Sequence, residues 1–338
     1  MPGDRIAVGV IGVGTMGHHH ARVYNELTEA ELVGVVDADP VRAREIAAEH
    51  DTTAMTRAEL FERVDAVSIA VPTQYHLDQI EAAIEADVAP FVEKPVIGTL
   101  DQAAALRRLV DRTELPVQVG HIERFNPAVS TLATIVDDLD VLSIRAPRLG
   151  PPPERSIDDS AVLDLMIHDI DVVCSLLDDA PRTIRSLGVD GNRHAAALLE
   201  FGDDTMATLI ASRKTQRKVR TLEITAEDCL IELDYLDQTI EVHRESVPEY
   251  IRENGGVRFT HESIVERPMV PTAEPLRKEL ESFCTVVREG GEPEVTVADG
   301  LEAVAIAHGI EAKSVGVEDE EIEAIDTIVD REVFTADD

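Results

Sequence analysis

The turn Gly12-Val13-Gly14-Thr15-Met16-Gly17 follows an apolar run, Ile6 to Ile11, and opens a segment of helical composition. This context constrains the chain more than any other feature. Glycines at those spacings permit a tight turn, a close approach of backbone to a pyrophosphate and tight packing of the next helix, whose N-terminal N–H groups face the phosphates. A second apolar run, Leu32 to Val36, ends in Asp37, where a carboxylate can accept bonds from both ribose hydroxyls. Strand, turn, helix and acid together point to dinucleotide binding rather than to a helix-capping turn of another βαβ protein. The cofactor candidates are Gly12, Gly14, Thr15, Met16, Gly17 and Asp37. Asp37 would repel a 2′-phosphate, so NAD is expected ahead of NADP, with Arg42 near enough in sequence to soften the preference.

Up to about residue 120, short apolar runs alternate with helix-like segments, the pattern of a parallel sheet. After Leu32 to Val36 they are Ala66 to Val71, Phe91 to Val92 and Val117 to Val119, with Leu77 to Ala86 and Leu100 to Val110 reading as helices. Beyond residue 140, strand-like segments follow one another: Arg182 to Val189, Ala195 to Phe201, Met206 to Ala211, Arg220 to Thr225, Leu230 to Leu233 and Thr239 to Val242. Such a run favours an antiparallel or mixed sheet. A helix is expected over Val162 to Leu177, a long loop or insertion from Ser246 to Pro275, and a helical region from Leu276 to Val317. The expected class is therefore α/β, with a Rossmann domain over 1–121, a second α/β domain with a mainly antiparallel sheet over 122–320, and an acidic tail over 321–338.

The chain carries 67 acidic residues against 5 lysines and 26 arginines, a net charge of −36 that disfavours nucleic acid and anionic membranes as partners. The arginine-rich, lysine-poor balance resembles proteins that stay soluble in molar salt, where a Debye length of about 3 Å screens surface repulsion. Cys174, Cys229 and Cys284 lie among apolar neighbours without metal-type spacing, so they read as core residues and no metal is expected from them. Without a long apolar span or a signal-like N-terminus, a cytoplasmic location is expected.

Other strand ends bear chemistry, since ligands of such sheets bind beyond the carboxyl ends of strands. Pro72-Thr73 with His76 follows one and Glu93-Lys94-Pro95 another, adding Pro72, Thr73, His76, Glu93 and Lys94 to the cofactor candidates; Thr73 reads equally as a helix cap. Lys94 stands at a strand end rather than on a helix face. A lysine beside a cationic nicotinamide, partly dehydrated, exchanges its proton more readily, although a surface lysine in a βα loop fits the sequence too. Asp164 and His168 are four apart and share one helix face, while Met166, Ile170, Val173 and Leu177 mark the apolar side. They read as an orienting carboxylate with a proton acceptor, or as a solvated face. The consecutive His18, His19 and His20 cannot all face one metal from a helix, and read as residues near the cofactor or solvent.

With Gly120-His121-Ile122-Glu123-Arg124-Phe125-Asn126-Pro127 and the closing helix after Glu274-Pro275-Leu276, these motifs resemble the Gfo/Idh/MocA family of oxidoreductases. The resemblance implies a Rossmann domain followed by an open-faced sheet domain, and hydride transfer between nicotinamide and a secondary alcohol carbon of a sugar or cyclitol. It implies Lys94, Asp164 and His168 as the catalytic group, with His168 or Lys94 taking the hydroxyl proton, and a homodimer or homotetramer. Arg124, Asn126, Arg148, Asp164 and His168 are the substrate-contact candidates. Within the family, Gly120 to Val129 and Asp164 to Val173 are most similar to members that oxidise a UDP-N-acetylhexosamine at C3. The alternatives are a dehydrogenase of a free monosaccharide or inositol, and a cofactor-binding protein without turnover. For a pyrophosphate, two basic clusters are available: Arg145 and Arg148 with Arg155, and Arg213, Lys214, Arg217, Lys218 and Arg220. Either cluster reads equally well as an ion-pair network.

Overall fold

The computed structural model describes residues 5–152, 160–202, 204–245, 249–253, 256–260 and 263–314. The chain forms two compact units, one of residues up to Phe125 together with Ala273–Ala305, the other of Asn126–Thr272 and the residues from Ile306 on. The division differs from a single boundary between 121 and 122, because a C-terminal segment returns to the first unit. The tail expected over 321–338 lies outside the described residues.

The first unit is built on a sheet of β1 (Ile6–Ile11), β2 (Ala30–Val36), β3 (Thr53–Ala54), β4 (Ala66–Ile69), β5 (Ala89–Glu93) and β6 (Gln118–Gly120). The strand order is β3-β2-β1-β4-β5-β6 and every pairing is parallel. Strands buried on both faces require continuous apolar runs, which is why β4 and β5 are buried at every residue. The helices α1 (Thr15–Glu26), α2 (Pro40–Glu49), α3 (Arg57–Phe61), α4 (His76–Glu85) and α5 (Ala103–Val110) connect them. Asp39 caps α2 through Val41 N–H, and Thr56 with Glu59 forms a capping box on α3. The order reverses direction between β1 and β4, so the crevice beyond their carboxyl ends is the position at which such sheets take a ligand.

The second unit contains α6 (Pro127–Val136), α7 (Ile167–Leu177) and an eight-stranded sheet. Its strands are β7 (Val141–Leu149), β8 (Thr183–Val189), β9 (His194–Phe201), β10 (Thr205–Ser212), β11 (Val219–Ala226), β12 (Cys229–Asp234), β13 (Thr239–Glu245) and, beyond a hairpin of β14 (Glu249–Glu253) and β15 (Gly256–Thr260), β16 (Ser263–Glu266). The order β16-β13-β12-β11-β7-β10-β9-β8 is antiparallel except where β10 pairs parallel to β7. Strands therefore occupy much of the stretch read from sequence as a loop between Ser246 and Pro275. Period-two patterning gives the sheet a buried face and an open one. On the open side Arg145, Glu223, Glu232 and Glu241 stand in register across β7, β11, β12 and β13.

The chain then re-enters the first unit as α8 (Pro275–Glu289) and continues into α9 (Val297–Ser314). Leu276, Leu280, Phe283 and Cys284 of α8 share one core with Val8, Val10, Tyr24 and Phe91. Helical spacing shows that α8 has an apolar face but not which core receives it, so a boundary drawn from sequence groups it with the second domain. Burial of Leu280 and Phe283 contributes about 1.5–3 kcal/mol each. The three cysteines are buried and form no disulfide, and no helix among the described residues is long and apolar enough to cross a membrane.

One buried ion pair fixes the core of the second unit. Arg148, 1% exposed, donates from Nε to Asp169 Oδ2 at 2.7 Å and from Nη2 to Oδ1 at 2.9 Å, while its guanidinium lies 5.0 Å from the centre of the Tyr235 ring. Two parallel charge-assisted bonds of this kind hold β7 to α7 in one register. Replacing Arg148 with methionine should lower unfolding free energy by about 3–5 kcal/mol, because Asp169 is left buried without its counter-ion. Arg148→Met with Asp169→Leu should recover much of the loss; denaturant unfolding of wild type, single and double variants measures both, and a single variant as stable as wild type contradicts the assignment.

Candidate functional site

The cofactor half of the site begins at the end of β1. Gly12 has φ +84°, and a Cβ there would meet Ala70 O at 2.7 Å. A Cβ on Gly17 would fall 1.8 Å from Gly12 O, so α1 can pack this close to the turn only with glycine at that position. Gly14 faces open space, and it precedes α1 without contributing any side-chain cap. The turn therefore presents an uncapped start of a twelve-residue helix beside the exposed Gly14, Thr15 and Met16, an arrangement suited to an anionic group such as a pyrophosphate.

Asp37, next after β2, does more than its position in sequence suggests. Its Oδ2 accepts from Val13 N–H at 2.8 Å and its Oδ1 from Asp39 N–H at 2.8 Å. Arg42 Nε donates to Val13 O at 3.0 Å. The Val13 peptide is thus gripped at both ends, and Arg42, read from sequence only as a residue tempering cofactor choice, is part of the grip.

The strand-end motifs are tied together beneath the surface. His76 is buried, with Nε2 2.9 Å from Val71 O and Nδ1 2.9 Å from Pro95 O, so its ring links the chain beyond β4 to the loop after β5. Burial pushes its pKa below the usual histidine value despite those carbonyls. Pro72 is exposed and Thr73 half-buried; Thr73 begins a short 3-10 turn and makes no side-chain cap bond, so the capping reading is not what the structure contains. Glu93 is buried and its Oε1 lies 2.9 Å from Nε2 of the fully buried His20, while its Oε2 accepts from Lys94 N–H at 3.3 Å. Burial pushes the Glu93 carboxyl up, but the His20 bond and charge, with Lys94, outweigh it and hold the group below the usual carboxylate range. Lys94, half-buried, follows at a cis bond to Pro95. His121 is buried nearby, and burial with the charges of Arg124 and Lys94 pushes it down to about 3, so its ring is neutral at physiological pH. From sequence alone His20 reads as a residue near the cofactor or solvent, and His121 takes no role of its own. A period-3.6 reading of α1 puts His20 on the face of Gly17 and Tyr24, and that was the available signal.

In the second unit, Asp164 and His168 fall where the helix changes geometry. Residues Val162–Met166 form a π turn in which Ile167 N–H reaches back to Val162 O, and α7 starts at Ile167. Such widened turns recur at functional segments. Ser160 Oγ accepts from Val162 and Leu163 N–H and starts the turn. Asp164 Oδ2 is bonded by Arg213 Nη2, and Arg213 is itself buried. A pocket of about 180 Å³ brings Asp164 together with Arg148, Arg213, Lys218 and Arg220.

The remaining candidates distribute differently from the sequence reading. Arg148 lines this pocket, but its guanidinium is neutralised inside the fold by Asp169 rather than offered to a ligand. Arg145 and Arg148 stand on opposite faces of β7, one exposed and one buried, because an odd separation reverses direction in a strand. They form no cluster, and Arg155 lies outside the described residues. Lys214 pairs with Asp190 at 2.7 Å, away from the pocket's lining. Asn126, also buried, is the N-cap of α6, accepting from Ala128 N–H and donating to Tyr235 O, so its polar atoms serve the fold. Arg124 belongs to the first unit and donates to Glu294 O at 3.3 Å.

Comparison with known proteins agrees with this geometry. Residues 6–121 match the oxidoreductase family with an NAD-binding Rossmann fold, GFO_IDH_MocA. The chain is 35% identical over 240 residues to the UDP-N-acetylglucosamine 3-dehydrogenase of Acidithiobacillus ferrooxidans, covering 70% of this chain and 76% of that protein. It is 27% identical over 325 residues to the inositol 2-dehydrogenase of Rhizobium meliloti, covering 89% and 94%. The solved structure of the UDP-N-acetylglucosamine 3-dehydrogenase GnnA from Acidithiobacillus ferrooxidans superposes with a TM-score of 0.84 at 29% identity, over 93% of this chain and 98% of that one. A parallel sheet in dinucleotide-binding order, a glycine turn with no room for a side chain at Gly12 or Gly17, and a relative aligned over three quarters of its length establish that the chain belongs to the Gfo/Idh/MocA family of NAD-binding oxidoreductases.

Proposed function

We propose that this oxidoreductase is an NAD-dependent dehydrogenase of a UDP-N-acetylhexosamine, acting on the secondary alcohol at C3 of the sugar. The observation that carries the substrate is the basic pocket of the second unit, where Lys218 and Arg220 stand beside the Asp164–Arg213 ion pair in a chain whose net charge is −36. A sugar linked to a pyrophosphate needs local positive charge of this kind, which a free sugar or cyclitol does not. The 35% identity to a UDP-N-acetylglucosamine 3-dehydrogenase supports the same choice.

When bound, the nicotinamide supplies the hydride acceptor. The chain supplies position and proton handling. The turn at Gly12, Gly14 and Gly17 with Thr15 and Met16 holds the pyrophosphate of the cofactor, and Asp37 accepts from its ribose hydroxyls through the lone pairs that its bonds to Val13 and Asp39 leave open. Pro72, Thr73 and Glu93 shape the cofactor's surroundings, with His76 bracing their backbone. The proton of the substrate hydroxyl goes to His168 or to Lys94, and Asp164, fixed by Arg213, stands one helical turn before His168. The match of an inositol 2-dehydrogenase over 89% of the chain favours a second reading, oxidation of a free inositol.

Three measurements test these assignments. NADH formation with UDP-N-acetylglucosamine, glucose, xylose and myo-inositol in about 1 M KCl should show turnover of the nucleotide sugar; turnover of free sugars or inositol alone rejects it. Lys94→Ala and His168→Asn should each lower kcat by about 10²–10⁴-fold with the cofactor Kd little changed, as expected when proton transfer is lost. An unaltered kcat in either variant removes that residue from the catalytic group. Asp37→Ser should shift the ratio of kcat/KM for NAD over NADP toward NADP by about 10-fold or more, since a like-charge contact costs a kcal/mol or more. Weaker use of both cofactors at an unchanged ratio would mean that Asp37 only braces Val13.

A further inference from the structure

We infer that the first unit carries a binding site for a divalent transition-metal ion of the zinc type, formed by His18, Glu49 and His50 and separate from the cofactor and substrate residues. One ligand atom from each of the three side chains lies within 4.8 Å of the other two. His18 projects from the first turns of α1, whereas Glu49 ends α2 and His50 caps it. The spacing of the histidines at 18–20 points to no metal, because the other two ligands arrive from about thirty residues downstream and only folding brings them together.

The donor set fits the ion. Zinc takes imidazole nitrogen and carboxylate oxygen at about 2.0–2.2 Å, which places tetrahedral ligand atoms about 3.4 Å apart. His18 Nε2 and Glu49 Oε1 are already at 3.0 Å, and the rings of His18 and His50 have centroids 5.3 Å apart. Small rotations of the half-buried His18 and the exposed Glu49 complete three corners and leave a fourth for water. Two imidazoles with one carboxylate suit zinc, cobalt or nickel far better than calcium or magnesium, which prefer oxygen alone. The site is therefore selective even on a strongly acidic surface.

His50 gives the independent sign that something belongs here. It is 7% exposed, and its Nε2 is buried without a hydrogen-bond partner among the described residues. A polar ring held inside the fold and left partly unsatisfied is uncommon in native proteins. A bound ion would cross-link the start of α1 to the end of α2, two helices that otherwise meet here through His18 and Glu49. Its effect is stabilisation of the unit through mass action rather than participation in hydride transfer.

The test uses the tag-free, full-length protein stripped of metal and titrated with zinc against a chromophoric chelator in about 1 M KCl, which screens loose association with acidic groups. Saturation near one equivalent per chain is expected, together with a zinc-dependent rise in Tm. His18→Asn and Glu49→Gln alter a half-buried and an exposed group and should keep the metal-free Tm while weakening zinc binding at least about tenfold. His243→Asn serves as the control, since His243 lies with Glu232 and Glu241 in a second such group on the sheet; it should leave the equivalent intact. Absence of saturable binding, equal binding by His18→Asn and Glu49→Gln, or loss of the equivalent in His243→Asn overturns the assignment. Turnover does not enter the readout, so the outcome is independent of the substrate reading.

Discussion

Everything in the first unit depends on how closely α1 approaches the end of β1. A single carbon added at Gly17 would sit 1.8 Å from Gly12 O, and one added at Gly12 would strike Ala70 O. The backbone has no slack at either point, so the start of α1 is aimed by contact rather than by loop length. Asp37 and Arg42 then grip the Val13 peptide from opposite ends, and Gly12 N–H bonds Val36 O at 2.8 Å. The ends of β1 and β2 and the start of α1 thereby become one rigid piece. A site for a charged dinucleotide gains from this, because the cost of ordering the turn is met in folding rather than in binding.

Buried ionic groups in both units stand next in sequence to the residues proposed for chemistry. Glu93, locked to His20, precedes Lys94; Asp169, locked to Arg148, follows His168. Asp164 is itself held by Arg213. Buried ion pairs are poor sources of net stability, since desolvation offsets most of the attraction. What they fix is direction: a backbone pinned at one residue limits where its neighbour's side chain leaves the fold. His76, joined to Val71 O and Pro95 O, extends the same device to the loop carrying Lys94.

Much of the first unit is legible in the sequence because its strands are buried on both sides. Unbroken runs such as Ile6–Ile11 leave no ambiguity of face, and the glycine turn reports its own steric limits. The second unit reads less clearly. The segment holding β14 to β16 has little periodicity and resembles a loop, and β7, with Arg145 and Arg148, resembles a basic cluster rather than a strand with two faces. Asn126, within the motif from Gly120 to Pro127, and Arg148, within a basic cluster, read from sequence as substrate contacts. Only the fold shows the partners that satisfy them inside, Ala128 and Tyr235 for one and Asp169 for the other. Pairings such as Asp164 with Arg213 link residues 49 positions apart, a separation at which no periodicity informs.

The first unit is interrupted: α8 supplies Leu276, Leu280, Phe283 and Cys284 to a core that begins at Ile6. The two units therefore alternate along the chain, each built from two separate segments. During synthesis the ribosome must translate nearly the whole chain before that core can close, so the nascent parallel sheet waits with an uncovered apolar face while the intervening module emerges. A fragment cut after Phe125 has the same defect permanently, and an independently folding cofactor module from this protein would have to join the residues up to Phe125 directly to Ala273–Ala305.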